Sequence, residues 1–239
     1  MIRVGTSGWQ YRSWRDVFYA GAPQRTWLQR YAEVFDTVEV NSAFYRLPER
    51  DVFTNWSAQT PHGFCFAVKM SRYLTHIRRL REPAEPVARF LDRAAGLGHQ
   101  LGPVLLQLPP TLTVDTDALA AVLARFPSGL RVAVEPRHRS WWTPAVQETL
   151  SAHGAALCWA DRLGRRLTPL WVTAEFGYLR LHEGRAQPRP QYGRRALAAW
   201  LGRVRAAYPT GAEVYVYFNN DHAGAAVANA RTFAAMAAR

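Results

Sequence analysis

Lys69 is the only lysine in a chain that carries 29 arginines. An amine can lose its proton near neutral pH where a guanidinium cannot, so an inward-facing lysine could serve as a Schiff-base nucleophile or a proton shuttle. A salt bridge to Glu39 or Glu135 would give it a structural role instead. Glu39, Glu135 and Asp161 supply carboxylates, whose pKa values separate when they sit near a cation or near one another. Paired carboxylates would also suit glycoside hydrolysis. The proton-transfer set read from the sequence is Lys69, Glu135, Asp161 and His182.

Arg137 and Arg180 could hold a phosphate or carboxylate through charge-assisted hydrogen bonds. Asn219, Asn220 and Asp221 stand before a helix whose free amides favour an anion, although Asn220 or Asp221 could simply cap it. Glu39, Asn41, His76 and Gln107 complete the polar binding group. Trp9, Trp14, Tyr45, Trp141 and Trp142 either form a platform for a sugar or base, or close the core.

Eight short β-type runs must position these groups: 2–6, 37–41, 64–70, 103–108, 131–135, 155–161, 178–182 and 213–219. Amphipathic stretches with helical spacing separate them, except in the sixth connection, LGRRLTPLWVTAEFG, which lacks a clear helix. Eight βα units in 239 residues predict a single domain over 1–239, a parallel (β/α)8 barrel of the TIM type with an irregular βα6 connection. An open doubly wound sheet is the alternative. The first strand is followed by no GxGxxG turn, so no nucleotide cofactor is expected.

Alternation along the strands supplies the phase. In TVEVN the valines face out and Thr37, Glu39 and Asn41 face in; in FCFAVKM, Cys65, Ala67 and Lys69 face in. Gln107, Glu135, Arg180, His182 and Asn219 follow the same rule, and Asp161 closes the sixth run. Polar inward residues at strand ends mark the carboxyl-terminal face, where barrel enzymes carry their active sites.

The net charge of +12 predicts attraction of anions and weak nucleic-acid association. The basic residues are spread along the chain without a recognised nucleic-acid-binding motif, and arginine-favouring codon usage would account for much of the excess. Cys65 and Cys158 lie in apolar runs and read as reduced, buried residues. With no apolar segment of membrane-spanning length and no leader-like start, a cytoplasmic protein without a membrane partner is expected.

GTSGWQYRSW (5–14), TVEVNSAFYRLP (37–48), FAVKMSRYLTH (66–76), LGPVLLQLPP (101–110), VEPRHRSWW (134–142), YLRLH (178–182) and VYFNNDHAGAAVANA (216–230) together resemble the YecE-like family, a domain of unknown function. The resemblance covers almost the whole chain. It implies a TIM-type barrel, related in outline to the xylose-isomerase and apurinic-endonuclease group, and an unassigned activity. The family segment commonly reads RLHG, whereas this chain reads RLHEG, which places Glu183 at the mouth of the site.

The leading expectation is an enzyme with an anion-favouring pocket at the carboxyl-terminal face, a hydrolase or lyase acting on a sugar phosphate or a nucleic-acid-derived compound. Two alternatives stand beside it: a metal-dependent nucleic-acid phosphodiesterase and a non-catalytic ligand-binding protein; a small anionic molecule is the expected partner. A divalent metal held by the carboxylates with His182 or His76 is not favoured, because HExxH-type spacing is absent.

Overall fold

In a computed structural model describing residues 1–239, the chain adopts a mixed α/β fold built on two parallel sheets. Ten strands run in chain order: β1 Ile2–Thr6, β2 Thr37–Val40, β3 Cys65–Lys69, β4 Leu101–Gln107, β5 Val132–Glu135, β6 Ala156–Leu157, β7 Trp159–Arg162, β8 Arg165–Arg166, β9 Gly177–Glu183 and β10 Val214–Phe218. One sheet has the order β2-β3-β4-β5-β6, the other β1-β10-β9-β7-β8. Every pairing is parallel except β7 with β8.

The ladder is therefore not the single closed barrel that the count of eight βα units predicts. The sheets adjoin in two places. The sixth run is interrupted at Cys158, so that β6 belongs to one sheet and β7 to the other. On the opposite side an isolated parallel bridge joins Ser7 to Glu39, and Gly8 N donates to Glu39 O at 2.8 Å. Gly5 permits this approach: a Cβ there would fall 2.2 Å from the Thr37 carbonyl oxygen. Tyr31 Oη ties the same place, accepting from Thr6 N at 2.9 Å and donating to Thr37 O at 3.1 Å.

Side-chain alternation divides the apolar residues into two groups. Val38, Phe66, Val68, Val134, Leu179 and their like join a large outer core with the helices. Cys65, Ala67, Leu105, Ala133, Tyr178, Tyr215 and Tyr217 fill a smaller inner one. The outer layer comprises α1 Trp14–Val17, α2 Trp27–Ala32, α3 Ser42–Tyr45, α4 Arg50–Ala58, α5 Ala84–Ala94, α6 Thr116–Leu123, α7 Pro144–Ala152, α8 Arg194–Ala207 and α9 Ala225–Ala237.

Local chemistry sets several helix starts. Asp115 caps α6 by accepting from Ala118 N at 2.9 Å, and Thr143 caps α7 ahead of Pro144 in its first turn. The sixth connection contains the β7–β8 hairpin in place of a helix. A single π-turn over Tyr73–Ile77 follows β3. Both cysteines are free and buried, and no helix is long and apolar enough to cross a membrane.

Candidate functional site

Arg180, on β9, is buried between the two sheets with 1% of its surface exposed. A guanidinium in that position requires anionic partners, and it has two from the other sheet, one on its edge strand β2 and one on β5. Nη1 donates to Glu135 Oε2 at 2.6 Å and Nη2 to Glu39 Oε1 at 2.8 Å. Glu39 also accepts from Ser7 Oγ and from Tyr178 Oη, each at 2.7 Å. Glu135 receives Gln107 Nε2 at 3.1 Å, Arg137 Nη2 at 3.2 Å and His182 Nε2 at 3.0 Å.

Strand register explains the convergence. Gln107 pairs laterally with Glu135, and Tyr217 with Arg180, and laterally paired residues share a face. Burial alone would raise the Glu135 carboxyl, but Arg180, His182 and Arg137 overcome it and hold the group well below the usual carboxylate range. His182 is itself pushed down, first by burial and also by Arg180 and Arg137, against the opposing pull of Glu135. The two arginines are therefore the durable cause of the Glu135 depression. Asn219 Nδ2 donates to His182 Nδ1 at 3.1 Å, so the proton of the neutral imidazole sits on Nε2 and points at Glu135.

Lys69 closes β3 beside this network and takes no share in it. It is 7% exposed, makes no ion pair or hydrogen bond, and sets Nζ 3.9 Å from the Phe44 ring centroid. Burial, followed by repulsion from Arg180, lowers its pKa to about 8 against the opposing pull of Glu39 and Glu135. His76, on the π-turn, packs edge-on to Phe44 and accepts from or donates to Thr75 Oγ1 at 2.9 Å. Burial and then Lys69 push His76 down to about 4, so it is neutral at physiological pH. Asn41 Oδ1 and Arg180 Nε are buried without protein partners. A cavity of about 530 Å³ opens over Glu135, Arg137, His182 and Asn219, with Arg162 and Glu183 on its rim.

Six of the candidate residues lie elsewhere. Asp161 pairs laterally with Leu181, an outer-core residue, whereas Ala160 pairs with Arg180. Asp161 therefore faces out, bonded to Tyr192 Oη at 2.8 Å, and does not join the proton-transfer set. Asn220 turns its Nδ2 to Pro190 O and Asn229 Oδ1, and Asp221 accepts from Trp14 Nε1 at 2.6 Å. Both anchor loops rather than an anion. Trp9, Trp14 and Trp141 are buried in the outer core and offer no platform, while Tyr45 is 75% exposed beside the mouth. Tyr178 and Ser7, which complete the Glu39 shell, are not among the expected site residues; the inward phase of Tyr178 in YLRLH is their only signal.

No three His, Cys, Asp or Glu side chains converge as a metal ion needs. With Asp161 on the outer face and Glu39 and Glu135 engaged by Arg180, the three carboxylates considered as metal ligands do not come together.

The profile of the family described as "Protein of unknown function DUF72" matches residues 3–239. The chain is 31% identical to the UPF0759 protein YecE of Escherichia coli K12 over 62% of its own length and 53% of the relative's, so it spans about half the length of that relative. It is 25% identical to the UPF0759 protein YunF of Bacillus subtilis over 97% of this chain and 93% of that one. Among solved structures, a DUF72 family protein from Thermotoga maritima superposes with a TM-score of 0.85 at 26% identity, covering 100% of both chains. SacUVDE shares the fold alone, with a TM-score of 0.61 at 7% identity over 99% of this chain and 98% of that one.

Proposed function

Because the chain belongs to the DUF72 family, described as of unknown function, we propose its role from the site itself: an enzyme of the lyase type acting on a small phosphorylated carbonyl compound. Its site occupies the carboxyl-terminal mouth of a (β/α)8 barrel, of which the two sheets are the two halves of the wall. The observation that carries the reading is a sole lysine, buried at a strand end and left unpaired while both neighbouring carboxylates are taken by Arg180. A merely structural lysine would be expected to claim one of them.

The inner cluster counts Lys69, Arg137 and Arg180 against Glu39 and Glu135, an excess of one positive charge that favours an anionic substrate. Arg137, 38% exposed at the cavity, is placed to grip the phosphate. The Lys69 amine adds to the substrate carbonyl and water leaves; the resulting iminium takes up the electron pair of the adjacent carbon–carbon bond as it breaks. One fragment leaves as an aldehyde on loss of its hydroxyl proton, and protonation and hydrolysis of the remaining enamine release the second fragment and restore the amine. Glu135, held ionised by Arg180 and Arg137, fixes Arg137 and His182 at the mouth, and the proton set free as the bond breaks passes to solvent in the open cavity. The phosphodiesterase alternative needs metal ligands that these side chains do not bring together.

The chain has only two amines, Lys69 and the amino terminus, which makes the test clean. Borohydride added with dihydroxyacetone phosphate, glyceraldehyde 3-phosphate or ribose 5-phosphate should fix substrate on the peptide containing Lys69, and Lys69→Arg should abolish the adduct. No adduct with any of the three, or one confined to the amino terminus, would sink the proposal. A ligand bound and recovered unchanged would favour the non-catalytic binder.

A further inference from the structure

The outer face of β7 lines a second polar pocket that the central site does not use. Asp161, 3% exposed, faces a cavity of about 490 Å³ surrounded by Arg166 of β8, Arg185 beyond β9, and Arg195 and Arg203 of α8. These four guanidinium groups make no ion pair or hydrogen bond within the protein. Arg203 lies over the ring of buried Trp200, 4.7 Å from its centroid.

Exposed arginines are ordinarily solvated singly and mean little. These differ because they enclose a buried carboxylate without touching it: none approaches Asp161 within ion-pair distance, and the space between is open. Asp161 keeps its bond from Tyr192 Oη at 2.8 Å, and burial raises its pKa despite that bond. No side chain caps the first turn of α8, whose N-cap is Gly193 on the pocket wall, so free amides add partial positive charge at the same place. Sequence composition agrees, since residues 162–205 hold ten arginines against two glutamates.

We propose that this pocket binds a small phosphomonoester that also carries hydroxyl groups, of the sugar-phosphate class, with the arginines taking the phosphate and Asp161 accepting a hydrogen bond from a hydroxyl. Four cations against one carboxylate leave an excess of positive charge that favours a dianion over a singly charged ligand. A nucleic-acid strand fits less well: its diesters carry one charge each, and the floor carboxylate would repel a second phosphate. The site is independent of the Lys69 chemistry, because Asp161 and the arginines lie on the side of β7 away from Arg180.

The test is calorimetric binding of sorbitol 6-phosphate, which has no carbonyl for Lys69 to attack, beside inorganic phosphate and a short single-stranded oligonucleotide. Binding of sorbitol 6-phosphate at the outer pocket should survive in Lys69→Gln, whatever the central site loses, and should weaken about tenfold or more in Arg195→Ala/Arg203→Ala, the loss expected for charge-assisted bonds. Asp161→Asn should weaken sorbitol 6-phosphate without weakening inorganic phosphate. The arginine positions are exposed, so a folded double variant with unchanged melting temperature decides the matter even if Asp161→Asn perturbs Tyr192. Absence of binding, affinity untouched by the arginine replacements, loss in Lys69→Gln instead, or an arginine-dependent preference for the oligonucleotide would each overturn the assignment.

Discussion

Lys69 destabilises the fold it sits in, and the sign of that effect can be measured. Its pKa falls from 10.5 to about 8 on folding, a shift that corresponds to on the order of 3 kcal/mol. Between those two values the unfolded chain holds a proton that the folded one has released, so this group's contribution to stability rises with pH through that window and is fully unfavourable below it. Lys69→Met should therefore be more stable than the unaltered protein by roughly 1–3 kcal/mol at neutral pH. The gap should close as pH approaches the unfolded value, as read by urea denaturation. A Lys69→Met variant that is less stable at neutral pH would show the ammonium to be satisfied in place. Glu135 behaves in the opposite range. Its depressed carboxyl stabilises the fold above the unfolded value near pH 4.3, and that stability is lost as pH falls through the folded value. Glu39→Gln, by uncovering one arm of buried Arg180, should be destabilising by about 3–5 kcal/mol.

Among the elements, the meeting of β1 with β2 is the place where backbone geometry governs the site, because Ser7 and Glu39 face each other there. Gly5→Ala would press a methyl into the Thr37 carbonyl and should lower stability by about 1–3 kcal/mol or more. Gly63→Ala, with nothing within 4 Å of the added carbon, should be nearly neutral. Equal melting temperatures for the two variants would mean that the close approach is not needed. The strands themselves are legible in the sequence: alternation in TVEVN, FCFAVKM and YLRLH places Glu39, Lys69, Arg180 and His182 on the inner side, where they lie. AALCWAD is legible too, but its last residue misleads. Small Ala156, Cys158 and Ala160 fit the narrow interior and bulky Leu157 and Trp159 the outer core, which sends Asp161 out. What period-two alternation cannot supply is pairing in space. That Arg180 engages both carboxylates and leaves Lys69 alone depends on lateral register between strands remote in sequence, as does the division of one expected barrel ladder into two sheets.

At the scale of the whole molecule, a charge of +12 must be separated from the use made of any one cluster. Non-specific attraction to nucleic acid depends on how many phosphates are neutralised and falls steeply with salt, whereas a concave pocket with a carboxylate at its floor depends on geometry. The spread of arginines along the chain hides this difference, since the excess is concentrated in residues 162–205, which form the hairpin, the loop after β9 and α8 around the outer pocket. Two measurements on the Arg195→Ala/Arg203→Ala variant should therefore part company. Its affinity for a random duplex should fall only as far as two lost charges require, with the slope of log affinity against log salt shallower by at most about 2. Its affinity for sorbitol 6-phosphate should fall about tenfold or more at a single salt concentration. If both affinities fall in the same proportion at every salt concentration, the arginines act as bulk charge, and the pocket adds nothing to what the net charge already provides.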